Sequence, residues 1–168
     1  EFAESDLRGL YVASGAQHMD NQVVVDHVSP KTISRQLYKG ILDDRAKAVF
    51  HGSVIVRKGA YGSEAVQEDR NLLLSPRTEV NAKPALWIYA DDVKCRHGAA
   101  TGQLAEESLF YLRSRGLSER EARHMIIEAF LEDVLLTSEN VDSREFFQSL
   151  VSNKIKQLPS VRFFEETN

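Results

Sequence analysis

The only cysteine of the chain, Cys95, and a histidine, His97, are separated by a single residue. If this stretch is a strand, both side chains project to the same side, because alternate residues of a strand share a face. A thiolate and an imidazole placed in this way could bind one metal ion or a sulfur species together. Two ligands do not complete a tetrahedral metal site, and Asp91 and Asp92 are the nearest further carboxylates. From these residues alone a structural role is favoured, with a small buried thiol and a hydrogen-bonded histidine at a strand end.

Other polar residues are weaker candidates for chemistry. A second cluster contains His18, Asp20, Asp26 and His27. Their separations match no metal-binding motif, so we expect them to cap turns and solvated edges. The sequence has no glycine-rich phosphate loop ending in Gly-Lys-Ser/Thr and no Gly-x-Ser-x-Gly motif. These observations argue against nucleotide binding by this chain and against a serine hydrolase.

Composition narrows the classes of function. The 168 residues are 42% hydrophobic, and 21 basic against 25 acidic side chains give a net charge of -4. The chain can therefore bury a core, and it has no charge that would favour nucleic acid as a partner. A single cysteine forms no internal disulfide, and no apolar run is long enough for a membrane span, so we expect a cytoplasmic protein, or a plastid protein if the source is eukaryotic. The absence of an initiator Met before Glu1 suggests that an N-terminal region is missing.

Short apolar runs rich in β-branched residues dominate the sequence up to Val93 and predict strands. No helix-length segment separates them, which disfavours a doubly wound α/β sheet and leaves a sandwich or a solenoid. The polar segment 62–70 is predicted to be a loop or a short helix. The predicted strands are 10–13, 23–25, 33–38, 48–50, 53–56, 72–74 and 86–89, and the predicted turns between them include 39–40 and 51–52.

After Gly98 the apolar residues recur at helical spacing and predict three helices. The first covers about 103–115, and the second, about 119–136, begins at a Ser-Glu-Arg-Glu capping box. The apolar arc of the second helix is too wide for packing on one side, so this helix is either enclosed in its own domain or partly reserved for another protein. The third starts after Asp142 and ends before Pro159. The predicted apolar face of the third helix comprises Phe146, Phe147, Leu150, Val151, Ile155 and Leu158.

Several ordered segments together point to a known family. They resemble the C-terminal half of the SufD proteins, one branch of the SufB/SufD family of the SUF iron-sulfur cluster assembly system. The resemblance covers about residues 7–136. The segments are 18–27, Leu37-Tyr38-Lys39-Gly40-Ile41-Leu42-Asp43, Arg70-Asn71-Leu72-Leu73-Leu74-Ser75, Tyr89-Ala90-Asp91-Asp92-Val93-Lys94-Cys95-Arg96-His97-Gly98-Ala99 and 109–116.

The resemblance implies a mainly β fold, a right-handed parallel β-helix over residues 1–100, followed by a small α-helical domain over residues 101–168. It implies a non-catalytic subunit that pairs with a SufB-like paralogue, or with a second copy of itself, through the last coils of the β-helix. The C-terminal helices would bind a SufC-like ABC ATPase. His97 matches the functionally implicated histidine of the family and Cys95 its neighbouring cysteine. The resemblance therefore implies that both residues are metal and cofactor ligands of a transient iron-sulfur cluster at the subunit junction. No cofactor is expected to be bound stably. Neither nucleic acid nor a membrane is expected as a partner.

The sequence also departs from the family pattern. Arg96 stands where a small residue is usual, and Trp87 stands where an acidic or small residue is common. The N-terminal half of the family is missing, so the first strand is expected to have an edge open to pairing with another chain. The string Lys94-Cys95-Arg96-His97-Gly98 favours the SufD branch over the SufB branch.

Two alternatives come from other classes of function. One is a β-solenoid enzyme acting on a carbohydrate or acyl substrate, for which His18, Asp20 and His27 are the only candidates. The other is a homodimeric interaction module in which Cys95 and His97 are merely buried.

Overall fold

A computed structural model describes residues 1–135 and 141–162. Within these residues seven strands come first and four helices follow, and none of the helices is long and apolar enough to cross a bilayer. The strands are β1 (Glu4–Ala13), β2 (His18–His27), β3 (Ile33–Leu42), β4 (Lys47–Val56), β5 (Glu64–Leu73), β6 (Glu79–Ile88) and β7 (Lys94–Gln103), and the helices are α1 (Glu106–Ser114), α2 (Glu119–Leu135), α3 (Val141–Lys156) and α4 (Pro159–Arg162).

The strands form two parallel sheets in which each strand pairs with the strand two places later in sequence. Sheet A has the order β1-β3-β5-β7, and sheet B has the order β2-β4-β6. The aligned residues Glu4, Ile33, Glu64 and Lys94 are separated by 29, 31 and 30 residues. One coil of about 30 residues therefore contributes one strand to each sheet, which is the architecture of a parallel β-solenoid of about three turns. The predicted solenoid is confirmed, and the sandwich alternative is wrong.

Alternation along each strand decides which side chains fill the interior. In β4, Ala48, Phe50, Val54 and Val56 are buried, whereas the intervening residues are exposed or half-buried. Successive side chains of a strand point to opposite faces, so one residue in two lies between the sheets. The stacking of coils repeats this pattern on neighbouring strands and produces a continuous core.

The turns predicted at 39–40 and 51–52 are wrong, because both pairs lie inside ten-residue strands. Gly52 points into the interior, where a Cβ would overlap the Gln67 side chain and lie 2.8 Å from the Phe50 ring. This glycine is present because the coils approach closely, and its φ is not the left-handed one of a turn. The residue type alone does not show whether a glycine is needed for a turn or for the close approach of two coils.

Two further predictions of secondary structure are wrong. The polar segment 62–70 is neither loop nor helix but contains most of β5, whose inward-facing residues after Ala65 are polar. The first helix, predicted from about residue 103, begins at Glu106 instead, because β7 continues to Gln103. The predicted domain boundary at residue 100 therefore falls within β7. Of the predicted helical domain, residues 136–140 and 163–168 lie outside the described residues.

The helices pack on the outer face of sheet A. Ile41 of β3 and Leu72 of β5 form one buried cluster with Ile127 and Leu131 of α2 and with residues of α3 and α4. Burying an aliphatic side chain of this size contributes about 1.5–3 kcal/mol. The cluster explains part of the wide apolar arc predicted for α2, because one side of the helix is covered by the solenoid.

Two polar contacts from β3 and its end fix the helices on the solenoid. The buried Lys39 ammonium donates to the Phe130 carbonyl and to the Asp133 carboxylate of α2. The buried Asp43 carboxylate accepts hydrogen bonds from the Ser160 backbone N–H at 2.7 Å and from its hydroxyl at 2.5 Å. Asp43 thereby satisfies a free N–H at the start of α4, as a capping residue would.

The capping box predicted for the second helix is confirmed. The Glu121 backbone N–H donates to Ser118 Oγ at 3.3 Å, and Ser118 N–H donates to the Glu121 carboxylate at 2.8 Å. The apolar face predicted for the third helix is only partly buried. Val151 and Ile155 lie in the core, whereas Phe146, Phe147 and Leu150 remain 52–60% exposed.

Candidate functional site

Strand β7 positions both candidate ligands on the same face. Cys95 is aligned with Ala65 of β5, and His97 is aligned with Gln67. Ala65 and Gln67 are buried inside the solenoid, and Cys95 packs against the interior cluster that contains Ala65. Because β7 continues the pleat of β5, the Cys95 and His97 side chains face the interior side of the last coil. The predicted common orientation of the pair is thus present.

The last coil is incomplete in the described residues. Sheet A has four strands and sheet B has three, so no strand of sheet B lies beyond β6 to cover the inward face of β7. Cys95 is half-buried, and the rest of β7, including His97, is exposed. We call this region, formed by β7 and the unpaired edge of β6, the open end. A partner that supplied the next strand would cover both candidate ligands.

Burial affects the protonation state of the Cys95 thiol. Desolvation raises the pKa of Cys95, and a hydrogen bond with the Ala65 backbone opposes this effect without cancelling it. A thiol with a raised pKa is protonated at neutral pH, so it must lose its proton before it can bind iron. A nearby cation, such as an incoming metal ion, would favour the thiolate form.

The predicted supplementary ligands do not complete a metal site. Among the described residues, no group of three or more His, Cys, Asp and Glu side chains is placed to hold a metal ion. Asp92 lies in the turn before β7 with φ of 53°, and its carbonyl accepts a hydrogen bond from Gly62 N–H at 2.8 Å. Two ligands from this chain can hold a metal ion firmly only if other molecules provide the remainder.

The second polar cluster is divided between two faces of β2. His18, Asp20 and Asp26 are exposed, and Asp26 pairs with Arg57 at 3.0 Å. His27 is buried, with hydrogen bonds to Thr32 Oγ1 at 2.7 Å and Ser34 Oγ at 2.8 Å, and burial lowers its pKa. The three residues on which the solenoid-enzyme alternative depends therefore do not line a common groove.

A buried polar network is present that sequence reasoning missed. Tyr11 donates to Asn71 Oδ1, and Asn71 Nδ2 donates to Asp69 Oδ2 at 2.6 Å. The other Asp69 oxygen has no partner among the described residues, and burial raises the pKa of this carboxyl from 3.8 to about 6. Gln67, Asp69 and Asn71 are alternate residues of β5. Had 62–70 been read as a strand, this spacing would have placed all three in the interior.

Helices α1 and α2 also carry exposed apolar side chains. Phe110 and Tyr111 of α1 are 76% and 57% exposed, and Met125 of α2 is 49% exposed. Exposed apolar side chains that form a patch are typical of protein interaction sites. The solenoid therefore leaves part of the predicted apolar arc of α2, including Met125, uncovered.

Comparison with known proteins places this architecture in a family. The family model described as "SUF system FeS cluster assembly, SufBD core domain" matches residues 1–130. The chain belongs to the SufBD family. Similar proteins include an iron-sulfur cluster assembly SufBD family protein of Synechocystis sp., 42% identical over 135 residues, and the iron-sulfur cluster assembly protein SufD of Escherichia coli, 43% identical over 115 residues. Protein ABCI7, chloroplastic, of Arabidopsis thaliana is 40% identical over 144 residues.

The SufBD relatives are considerably longer than this chain. The three alignments cover 80%, 68% and 84% of the chain but only 30%, 27% and 30% of the respective relatives. The matched part is C-terminal in the relatives. The predicted resemblance to the C-terminal half of SufD is therefore confirmed, and the chain spans less than a third of those SufBD proteins.

Proposed function

We propose that this chain is a non-catalytic subunit of a SUF iron-sulfur cluster assembly complex. Its open end pairs with a SufB-like paralogue, its C-terminal helices bind a SufC-like ABC ATPase, and His97 with Cys95 contributes ligands to a transient cluster at the subunit junction. The cluster is the cargo of the complex, and ATP hydrolysis belongs to the partner.

The observation that carries this proposal is the incomplete last coil. It combines two unpaired strand edges with a thiol and an imidazole, which are of the types that bind metals but are insufficient by themselves. An unpaired edge can accept a strand from another chain, and ligands divided between subunits form a site only when those subunits are together. A change in subunit arrangement could then assemble or separate the ligand set, which suits a cluster that must be released.

The role of His97 is tested by His97→Ala in cells that depend on this protein for cluster assembly. Because His97 is exposed on β7, we expect the variant to fold normally while the activity of iron-sulfur enzymes falls about tenfold or more. His51→Ala is the matched control, since His51 is an exposed histidine on the outer face of β4. Equal enzyme activities in cells with either variant would remove His97 from the mechanism.

The role of Cys95 is tested by anaerobic reconstitution with iron and sulfide in the presence of the paralogue. We expect visible absorbance from a bound cluster in the wild type and a substantial loss in Cys95→Ala. Cys95→Ser retains a small polar side chain but not the thiolate, so it should resemble the alanine variant. Unchanged absorbance in both variants would support the interaction module with a merely buried cysteine.

The docking surface on the helices is tested by pull-down of the cognate ATPase. Met125→Asp and Phe110→Asp place a charge in exposed apolar positions, so both should weaken binding without unfolding the chain. Val24→Asp is the matched control, because Val24 is 65% exposed on the outer face of sheet B, away from the helices. Trp87→Asp, at the open end, should instead weaken binding of the SufB-like paralogue. If Met125→Asp, Phe110→Asp and Trp87→Asp all still bound both the ATPase and the paralogue, the proposed surfaces would be wrong.

A further inference from the structure

A row of polar side chains on the inner face of sheet A leads to the open end. Gln36 of β3, Gln67 of β5 and His97 of β7 occupy aligned positions on successive strands. Because aligned residues of a parallel sheet lie on the same face, all three are on the interior side. Gln36 and Gln67 are 2% and 0% exposed, whereas His97 is exposed. The row therefore joins two buried carboxamides to a candidate metal ligand.

The hydrogen bonding of this row is incomplete next to His97. Gln67 Nε2 donates to Gln36 Oε1 at 3.2 Å, in the direction of β3. Gln67 Oε1 is buried and has no hydrogen-bond partner among the described residues. Glutamine ladders in stacked strands pass hydrogen bonds from one strand to the next, so each carbonyl oxygen accepts from the following side chain. In this row the following side chain is His97, whose ring carries an N–H donor.

Gln67 is the acceptor that the strand register places beside His97. Gly52 of β4 leaves the space that the Gln67 carboxamide occupies, because a Cβ on Gly52 would overlap Gln67 Nε2. Asp69 also has an oxygen without a partner among the described residues, but Asp69 is aligned with Ala99, two residues further along β7. The register thus aligns the free oxygen of Gln67, and not that of Asp69, with His97.

We propose that Gln67 is a positioning residue for His97: its Oε1 accepts a hydrogen bond from one ring N–H of His97 when a partner covers the open end. Adjacent strands are about 4.8 Å apart, so rotation of the exposed His97 side chain is sufficient to bring the ring to Gln67. A partner that excludes water favours this contact, because a buried carbonyl without a hydrogen bond is unfavourable.

The hydrogen bond has a consequence for metal binding, which rests on the proposed role of His97 as a ligand. A neutral imidazole carries its proton on either of two nitrogens. Donation to Gln67 fixes the proton on one nitrogen and leaves the lone pair of the other for the metal ion. Gln67 thereby orients the ring and selects the tautomer before the metal arrives, without touching the metal itself.

The first experiment measures the tautomer of His97 at pH 8 in the complex with the SufB-like paralogue, without iron. Histidine is labelled with ¹⁵N, and the His97 signals are those that are absent from His97→Ala. A single tautomer has one protonated and one unprotonated ring nitrogen with well-separated ¹⁵N shifts, whereas exchange between tautomers brings the two shifts together. We expect a single tautomer in the unsubstituted complex and exchange in Gln67→Met. Methionine is unbranched and similar in size to glutamine but lacks the amide oxygen.

Gln36→Met is the matched control. It removes an equally buried carboxamide and the same hydrogen bond between Gln36 and Gln67, but it leaves Gln67 Oε1 beside His97. A purely structural role of the glutamine row would make the two variants behave alike. We expect the single tautomer of His97 to persist in Gln36→Met.

The second experiment measures the activity of iron-sulfur enzymes in cells that depend on this protein. Gln67→Met should lower it about tenfold, because loss of a hydrogen bond to a histidine ligand commonly costs about 10–100-fold in metal affinity or activity. Gln36→Met should lower it less than about twofold. Gln67→Glu keeps an oxygen for His97, and Gln36 Nε2, which has no partner among the described residues, can donate to the other oxygen. This variant should retain most of the activity.

Exchange between tautomers in the unsubstituted complex would overturn the proposal, whatever the variants do. A single tautomer that persists in Gln67→Met would also overturn it, and its loss in Asp69→Asn instead would assign the acceptor to Asp69. Full enzyme activity in Gln67→Met cells, with activity lost in His97→Ala cells, would reject the positioning role and leave the proposed function intact. Full activity in His97→Ala cells would contradict the proposed function, while the tautomer would still decide whether the hydrogen bond exists.

Discussion

The incompletely hydrogen-bonded carboxyl group of Asp69 leads to a quantitative prediction: Asp69→Asn should stabilise the protein at neutral pH. Asp69 is fully buried, receives one hydrogen bond from Asn71 and has a second oxygen without a partner among the described residues. Burial raises the pKa of this carboxyl from 3.8 to about 6. Since the folded state holds the proton more tightly than the unfolded state, this group favours folding most below pH 3.8 and loses that contribution as pH rises through 6.

The size of the effect follows from the shift in pKa. A change of about two units corresponds to about 3 kcal/mol of destabilisation above pH 7, because each unit is worth about 1.4 kcal/mol. Asparagine carries no charge and still accepts the hydrogen bond from Asn71, so Asp69→Asn should raise the free energy of unfolding by about 2–3 kcal/mol at pH 7.5. The advantage should be about 1.4 kcal/mol smaller at pH 5, where the wild-type carboxyl is mostly protonated.

Urea unfolding monitored by circular dichroism at pH 5 and pH 7.5 measures both quantities. Asp20→Asn is the control for removing one negative charge, because Asp20 is exposed on β2, and it should change stability by no more than about 0.5 kcal/mol. A destabilised Asp69→Asn at pH 7.5, or an advantage that does not depend on pH, would refute the assignment of Asp69 as a buried carboxyl without adequate partners.

Two other substitutions test how the solenoid is packed and how the helices are attached to it. Lys39→Met keeps the aliphatic stem but removes the ammonium that Asp133 binds, so the variant should lose about 1.5–3 kcal/mol in urea unfolding; a variant as stable as the wild type would show that the ionic contact contributes nothing. Gly52→Ala should cost about 1–3 kcal/mol, because its Cβ would overlap Gln67 in the interior. Gly98→Ala on β7 has open space around the added Cβ and should be nearly neutral, and equal losses in the two glycine variants would contradict the close approach of coils at Gly52.

The attachment of the helices has a consequence for the proposed assembly function. Lys39 and Asp43 lie four residues apart at the end of β3 and hold α2 and α4 respectively. β3 is connected to β7 through β5 in sheet A. A displacement of the helices by a bound ATPase would therefore act on the same sheet that carries Cys95 and His97.

Predictions from local sequence pattern were correct where the stabilising interactions are themselves local. The capping box at Ser118 was predicted correctly because its hydrogen bonds are made within four residues of chain. β5 was missed because its inward residues Gln67, Asp69 and Asn71 are polar, and periodicity rules expect apolar residues on a buried face. Two of their hydrogen bonds are made with other coils, since Tyr11 of β1 donates to Asn71 and Gln67 donates to Gln36 of β3. Because these partners are distant in sequence, a prediction from a short segment does not include them.

The candidate site was predicted in part. The shared face of Cys95 and His97 follows from strand alternation, and the resemblance to the SufBD family drew attention to both residues. Their exposure at an incomplete coil does not follow from the local sequence, because it depends on which strands lie opposite β7. That His18 and Asp20 lie on the opposite face of β2 from His27 could not be predicted either, because the extent of this strand and its inward face were not known from the sequence.

By itself the sequence determined the family, the repeated strands, the helix start at Ser118 and the pair of candidate ligands, because these depend on residue type and on spacing within a few residues. Only the tertiary structure decided that Gly52 and the polar residues of β5 fill an interior, that the helices cover sheet A and that the last coil remains open. The contacts that fill the interior and attach the helices join residues 15 to 117 positions apart. Such contacts are determined by the stacking of coils and the docking of helices, and no local window of sequence contains both partners.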